Sequence, residues 1–275
     1  MTHDSTDRRA ERVRAVAAPW RLTPDGEETE QIEALLEQLF AADLLRASAC
    51  AVLLGEQYHL GGAEDTRRMA ELVGVSAADR LADLACYIGG PARQLAREYE
   101  CEVVGVDMLA VHVEIAEALT RLCNLEDKVS FIRADADAVP EPDGSFTVAW
   151  SQGSFPSDLS WLTEMHRLLV PGGRIAFTGV IRRSESSDPS HCSLHEVQRR
   201  VTEVGFRVIS AEEISDWELE HGWLPIRRKL EENEAHYRNL LGDEWVRRAY
   251  ESINADTEAW REGRLGSGRV VAVKD

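Results

Sequence analysis

The sequence is short of the features that mark several protein classes. Its five cysteines (Cys50, Cys86, Cys101, Cys123, Cys192) are scattered, odd in number and never spaced Cys-x-x-Cys. That argues against a disulfide framework or a zinc site and fits a reducing compartment. No apolar run approaches the ~20 residues a membrane helix needs. The opening MTHDSTDRRAERVRAV lacks the apolar core of a secretory leader, so a cytoplasmic location without a membrane partner is expected. Lysine is nearly absent, with Lys128, Lys229 and Lys274 alone among many arginines. Bases total 31 against 49 acids, a formal charge of -18. So negative a chain repels phosphate backbones, and no nucleic-acid partner is expected.

What remains is ordinary globular composition, 44% hydrophobic and 29% charged over 275 residues, enough to bury a core. Residues 1–25 are polar, carry Pro19 and Pro24, and read as a flexible arm. Residues 26–75 read as a helical lid: Ile32, Leu35, Leu36, Leu39, Leu44 and Leu45 recur at helical spacing, and the loop GEQYHLGG leads into a further helix. From residue 76 to 275 short apolar runs alternate with amphipathic stretches. Strands are expected at 80–85, 102–107, 129–135, 145–151, 173–181, 206–214 and 268–274. Helices are expected at 91–99, 111–122, 158–169 and 193–205. The stretch 215–262, with Trp217, Trp223, Trp245 and Trp260, reads as a helical cap inserted before the last strand. The alternation implies an α/β fold: a Rossmann-like, doubly wound sheet of seven mostly parallel strands with helices on both faces.

Three strand ends carry the chemistry. The first strand ends in Asp83, and a turn holding Gly89 and Gly90 enters a helix opened by Pro91. Open α/β sheets bind ligands at strand carboxyl ends, and a helix N-terminus turns backbone N–H groups towards an anion. Asp107 ends the second strand, 24 residues after Asp83, followed by Met108. An acid there commonly holds a ribose diol. Asp135, followed by Ala136, ends the third, placed for the exocyclic amine of a purine. Together they describe a nucleoside pocket.

With these residues in place, the chain resembles the class I S-adenosylmethionine-dependent methyltransferases over roughly residues 50–275. The family's Asp-Leu-Gly-Cys-Gly-x-Gly-Gly-Pro-Ala is here Asp-Leu-Ala-Cys-Tyr-Ile-Gly-Gly-Pro-Ala. DGSFTVAWSQ and EMHRLLVPGGRIAFT fit the next strand and the helix–turn–strand after it. GEQYHLGGAEDTRRM and GRLGSGRVVAVK resemble the lid loop and last strand of small-amine enzymes of the phosphoethanolamine and sarcosine/dimethylglycine types. The resemblance implies S-adenosylmethionine as cofactor, with Tyr58, Asp83, Ala85, Tyr87, Gly89, Gly90, Asp107, Met108, Asp135, Ala136, Ser151 and Gln152 around it. It implies Tyr58 and His59 as lid and catalytic residues, no metal, and methyl transfer to a small-molecule acceptor, by pattern an amine. A homodimer is left open.

The departures define the alternatives. Ala85 and Tyr87 replace the first two glycines of the motif. The Tyr87 ring either swings out, reshapes the pocket, or marks a cofactor-binding protein that has lost or altered methyl transfer; the first is expected here. The acid–histidine pair of phosphoethanolamine enzymes is missing from Ser151–Pro156, which counts against that substrate. A nicotinamide enzyme is disfavoured by the Gly-Gly-Pro turn. Among single residues, His59 is balanced between a general base and a packed loop histidine. His166 reads as a sheet-packing residue. His191, Cys192 and His195 are too few for a zinc site. Trp217 and Trp223 read as core before they read as a cage for a quaternary ammonium. Glu56 and Asp158 read as solvated before they read as partners of a cationic substrate.

Overall fold

The computed structural model describes residues 49–154, 159–184 and 190–275, with Glu30 and Ala34 as isolated helical positions upstream. The expected arm, most of the helical pattern before Leu54, and Asp158 lie outside the described residues.

Helix α1 (Ala49–Leu54) and helix α2 (Gly62–Val73) precede the sheet. Then come β1 (Arg80–Leu84), α3 (Gly90–Tyr99), β2 (Glu102–Asp107), α4 (Ala110–Leu122), β3 (Val129–Arg133) and β4 (Phe146–Ser151). They are followed by α5 (Leu159–Leu168), β5 (Leu169–Arg182), α6 (Leu194–Glu203) and β6 (Phe206–Glu213). The cap comprises α7 (Ser215–Glu218), a π-helical turn (Leu219–Trp223), α8 (Leu224–Glu232), α9 (Glu234–Leu241) and α10 (Asp243–Arg261). β7 (Leu265–Lys274) closes the sheet.

The strand order is β3-β2-β1-β4-β5-β7-β6, with β7 antiparallel to both of its neighbours and the other pairings parallel. The order reverses beside β1, so the carboxyl ends of β1 and β4 open a crevice there. Alternation along each strand feeds two cores. Ala82, Leu84, Val104 and Val106 face Leu162, Met165, Val197 and Val201 of α5 and α6. Leu81, Val103, Val148 and Trp150 face Met69, Ala70, Val73, Ala92 and Leu95 of α2 and α3. A third cluster, with Leu53, Trp223, Leu230, Trp245 and Trp260, holds the cap to α1.

Boundaries differ from the pattern in three places. β3 stops at Arg133, so Asp135 lies in the following loop. β5 runs back through Pro171, Gly172 and Gly173 to Leu169, and a register shift opposite Phe146 and Val148 accommodates that turn. The cap is broken by the π-helical turn, where Gly222 backs onto the lid: a Cβ there would sit 2.9 Å from the Leu60 Cβ. The expected helix at 193–205 begins with a capping box. Ser193 Oγ accepts from the Glu196 N–H, and Glu196 Oε2 accepts from the Ser193 N–H. That box accounts for Ser193, between Cys192 and His195. His195 is exposed, and among the described residues no three His, Cys, Asp or Glu side chains group as a metal site. No described helix is long and apolar enough to cross a membrane.

Candidate functional site

The turn after β1 is left-handed at three positions, Ala85 (φ 58), Tyr87 (φ 52) and Gly89 (φ 74). Side chains are excluded at its end. A Cβ on Gly90 would lie 2.2 Å from the Glu56 carbonyl oxygen, and one on Gly89 2.5 Å from the Phe131 ring. The lid segment 55–61 therefore lies directly on the turn. Glu56 Oε2 fixes it there, 2.5 Å from the fully buried Arg93 guanidinium. Gln57 Nε2 adds a bond to Gln94 Oε1 at 3.0 Å. Glu56 is thus an internal ion-pair partner, not a solvated loop acid.

Asp107 is buried at the end of β2 and already has three donors. Its Oδ1 accepts from the Leu109 N–H at 2.9 Å and lies 3.0 Å from His112 Nδ1; its Oδ2 accepts from the Tyr87 N–H at 3.1 Å. A carboxylate offers about four acceptor positions, so about one stays open, on Oδ2. Asp83 lies beneath the turn, 2% exposed, and its Oδ2 has no partner among the described residues. Burial, reinforced by the charge of Asp107, raises its carboxyl to about 8. A buried carboxyl left without a donor is costly and suits a ligand cation. Met108 is 62% exposed beside Asp107. Asp135 is exposed, while Ala136 is buried in the sheet core.

The Tyr87 ring packs between Tyr58 of the lid segment, centroids 5.0 Å apart, and His112 of α4, edge-on at 4.7 Å. The left-handed backbone and the N–H bond to Asp107 hold the residue over the end of β2. Burial, with Tyr58 and Asp107 behind it, pushes the phenol pKa up.

A second cluster lies at the carboxyl end of β4. His59, 5% exposed, has Nε2 at 3.0 Å from Gln57 Oε1 and 3.2 Å from Thr66 Oγ1. Its Nδ1 lies 3.2 Å from the Leu60 carbonyl oxygen. Burial lowers its pKa, partly opposed by Asp65, so it is neutral at pH 7. Gln152 Nε2 donates to Asp65 Oδ2 at 2.9 Å, and Thr66 Oγ1 donates to Gln152 Oε1 at 3.0 Å. Fully buried Asp65 also pairs with Arg269 of β7, which sits opposite Thr178 of β5. Arg269 Nε and Nη1 have no partner among the described residues, and neither has Glu218 Oε2. Burial raises the Glu218 carboxyl to about 8, against a bond from Ser267. Ser151 Oγ turns to the Ser154 carbonyl oxygen at 3.1 Å.

The expected residues therefore separate. Tyr58, Asp83, Ala85, Tyr87, Gly89, Gly90 and Asp107 gather at the turn. His59 and Gln152 join the cluster at β4. His112, Asp65, Arg269 and Glu218 were not singled out from the sequence. One signal was available for Arg269, a lone arginine within the apolar run GRVVAVK. Trp223 packs edge-on against Trp260 and Trp217 stacks on His221, so each is committed elsewhere than to a shared cage. His166 packs edge-on against Phe206, as a sheet-packing residue does.

Residues 81–173, from β1 through the turn into β5, match the model of a methyltransferase domain family. The chain is 30% identical over 181 residues to 27-O-demethylrifamycin SV methyltransferase of Amycolatopsis mediterranei, covering 60% of this chain and 65% of that protein. It is 27% identical over 221 residues to glycine/sarcosine/dimethylglycine N-methyltransferase of Actinopolyspora halophila, covering 75% of this chain and 39% of that one. The chain spans about half the length of the curated relatives it matches. A phosphoethanolamine N-methyltransferase of Haemonchus contortus, solved with phosphomonomethylethanolamine and S-adenosylhomocysteine, superposes with a TM-score of 0.77 at 19% identity. That superposition covers 87% of this chain and 59% of the other.

Proposed function

We propose that the chain is a class I S-adenosylmethionine-dependent methyltransferase that transfers a methyl group from S-adenosylmethionine to a small-molecule amine. One observation carries the reading: an unpartnered buried carboxyl, Asp83, lies beneath a glycine turn whose neighbouring strand ends in a nearly saturated Asp107. This is the acceptor set that a nucleoside with a cationic amino-acid arm needs. Asp83 and the 85–90 turn would hold the methionine arm, the open position of Asp107 a ribose hydroxyl, and Met108 with Asp135 the adenine. When bound, S-adenosylmethionine supplies an electrophilic methyl on its sulfonium.

The chain's own work is then to exclude water and place the acceptor. The lid segment covers the turn through Glu56 and Tyr58. The β4 cluster supplies the acceptor side. Glu218, with a buried oxygen lacking a donor, suits an ammonium; Arg269, with two N–H groups lacking acceptors, suits an anionic group on the same molecule. His59 is neutral and would serve as base for the ammonium proton once its Nε2 leaves Gln57 Oε1, against which it rests at 3.0 Å. The Tyr87 ring favours one second reading, a protein that binds the cofactor without transferring methyl.

The test is incubation with methyl-labelled S-adenosylmethionine and a panel of small amines and hydroxylated acceptors. Label on amine nitrogen is the expected result. Label on hydroxyl oxygen alone would overturn the amine reading, and binding without any transfer would favour the second.

A further inference from the structure

Resting on the proposed cofactor site, a second feature concerns how that site is held. Tyr87 stands in a left-handed backbone conformation (φ 52), two residues after Ala85 in the same region (φ 58). Non-glycine residues keep such angles only where their surroundings enforce them. At Tyr87 the enforcement is a closed circuit. Its N–H donates to Asp107 Oδ2 at 3.1 Å, Asp107 Oδ1 lies 3.0 Å from His112 Nδ1, and the His112 ring returns edge-on to the Tyr87 ring at 4.7 Å. Tyr58, on the lid segment, docks on the Tyr87 ring at 5.0 Å. A glycine at position 87 would keep the first bond and lose both ring contacts.

We infer that His112 is a positioning residue for the Asp107 carboxylate, and that the Tyr87 ring couples that carboxylate to the lid segment through Tyr58. His112 has the geometry for the first part. It is buried, and with Leu109 it saturates Oδ1, which fixes the carboxylate plane and leaves the open position on Oδ2. Tyr87 has the geometry for the second, because it touches Asp107 by its backbone and both His112 and Tyr58 by its ring. Occupying Asp107 therefore favours lid docking, and lid docking favours occupation by the same factor.

The test uses the full chain and two readouts. In calorimetry with S-adenosylhomocysteine, His112→Leu should lose about tenfold in affinity, the usual weight of one charge-assisted bond. His112→Asn, whose amide donates to the same carboxylate, should recover most of it. Equal losses in the two variants would overturn the positioning role, since packing alone does not distinguish them. In hydrogen exchange without ligand, Tyr87→Gly should release residues 55–60 by roughly fivefold, the scale of an aromatic pair, while Tyr87→Phe should not. Exchange in Tyr87→Gly equal to that of the unsubstituted protein would overturn the coupling. If the unsubstituted protein fails to bind S-adenosylhomocysteine, the cofactor reading and the positioning role fall together. The coupling between Tyr87 and the lid is then decided by the ligand-free exchange alone.

Discussion

The two ends of the crevice are built differently. The end proposed for the nucleoside comes from one stretch of chain, from Asp83 to His112: a strand, a turn, a helix, a strand and the start of α4. Asp107 there is nearly saturated, by two backbone N–H donors and His112, while Asp83 keeps one unpartnered oxygen. The acceptor end comes from four distant places: the lid segment and α2, the end of β4, α7 of the cap, and β7. Its polar groups are side chains, and it leaves Glu218 and Arg269 atoms unpartnered. The sheet itself makes the first end. The second combines the sheet strands β4 and β7 with the lid segment, α2 and the cap. Under the proposed function, the sheet turn would serve the nucleoside and the lid, cap and β7 the acceptor.

The largest effect should separate the ends by stability. Asp65→Ala leaves Arg269 buried without its charge partner, which costs ~3–5 kcal/mol. Thermal unfolding should show a drop of several degrees; an unchanged midpoint would mean that the pair does not hold the acceptor end together. Next, Asp107→Ala removes the acceptor for a ribose hydroxyl and should weaken S-adenosylhomocysteine at least tenfold, from ~1.5–3 kcal/mol for a charge-assisted bond. Unchanged affinity in the folded variant would remove the nucleoside assignment.

A sharper contrast comes from Glu218→Gln. It should raise KM for an amine acceptor severalfold and leave affinity for S-adenosylhomocysteine alone. A shift in both would show that the two ends are one site. A different kind of test is a pH trend shared by both ends. Asp83 and Glu218 hold their protons up to about 8 when folded and ionise near their ordinary values when unfolded. The folded chain binds more protons between those limits. Ligand-free stability should therefore fall as pH rises from about 4 to about 8, then level from these groups. Asp83→Asn should flatten part of that fall in denaturant titrations at several pH values. A slope unaltered by it would show that Asp83 is not held protonated.

The same contrast governs what could be read from the sequence. The strands of the nucleoside half announced themselves through runs such as EVVGVD. The turn did so through Gly89 and Gly90, because local backbone demands write local residue types. Asp83 and Asp107 followed from their position at strand ends. His112 did not, since a lone histidine on an amphipathic helix has no pattern to distinguish it. The direction of the Tyr87 ring depends on contacts with Tyr58 and His112 that no local rule encodes. Asp65, Glu218 and Arg269 were illegible for the same reason in stronger form. They meet only when β7 inserts antiparallel between β5 and β6 and the cap folds back over the lid. Gln152, expected beside the cofactor from its place after β4, bonds to Asp65 and Thr66.

The central claim is that the Asp83–Asp107 end holds S-adenosylmethionine, and calorimetry on the unsubstituted protein tests it most directly. S-adenosylmethionine, S-adenosylhomocysteine and NAD are titrated in turn, in two buffers of different ionisation enthalpy. The account expects the first two to bind and NAD not to. It also expects proton release on binding near pH 7, as a ligand cation displaces the proton held by Asp83. Binding of NAD, or no binding of either sulfur nucleoside, would contradict it.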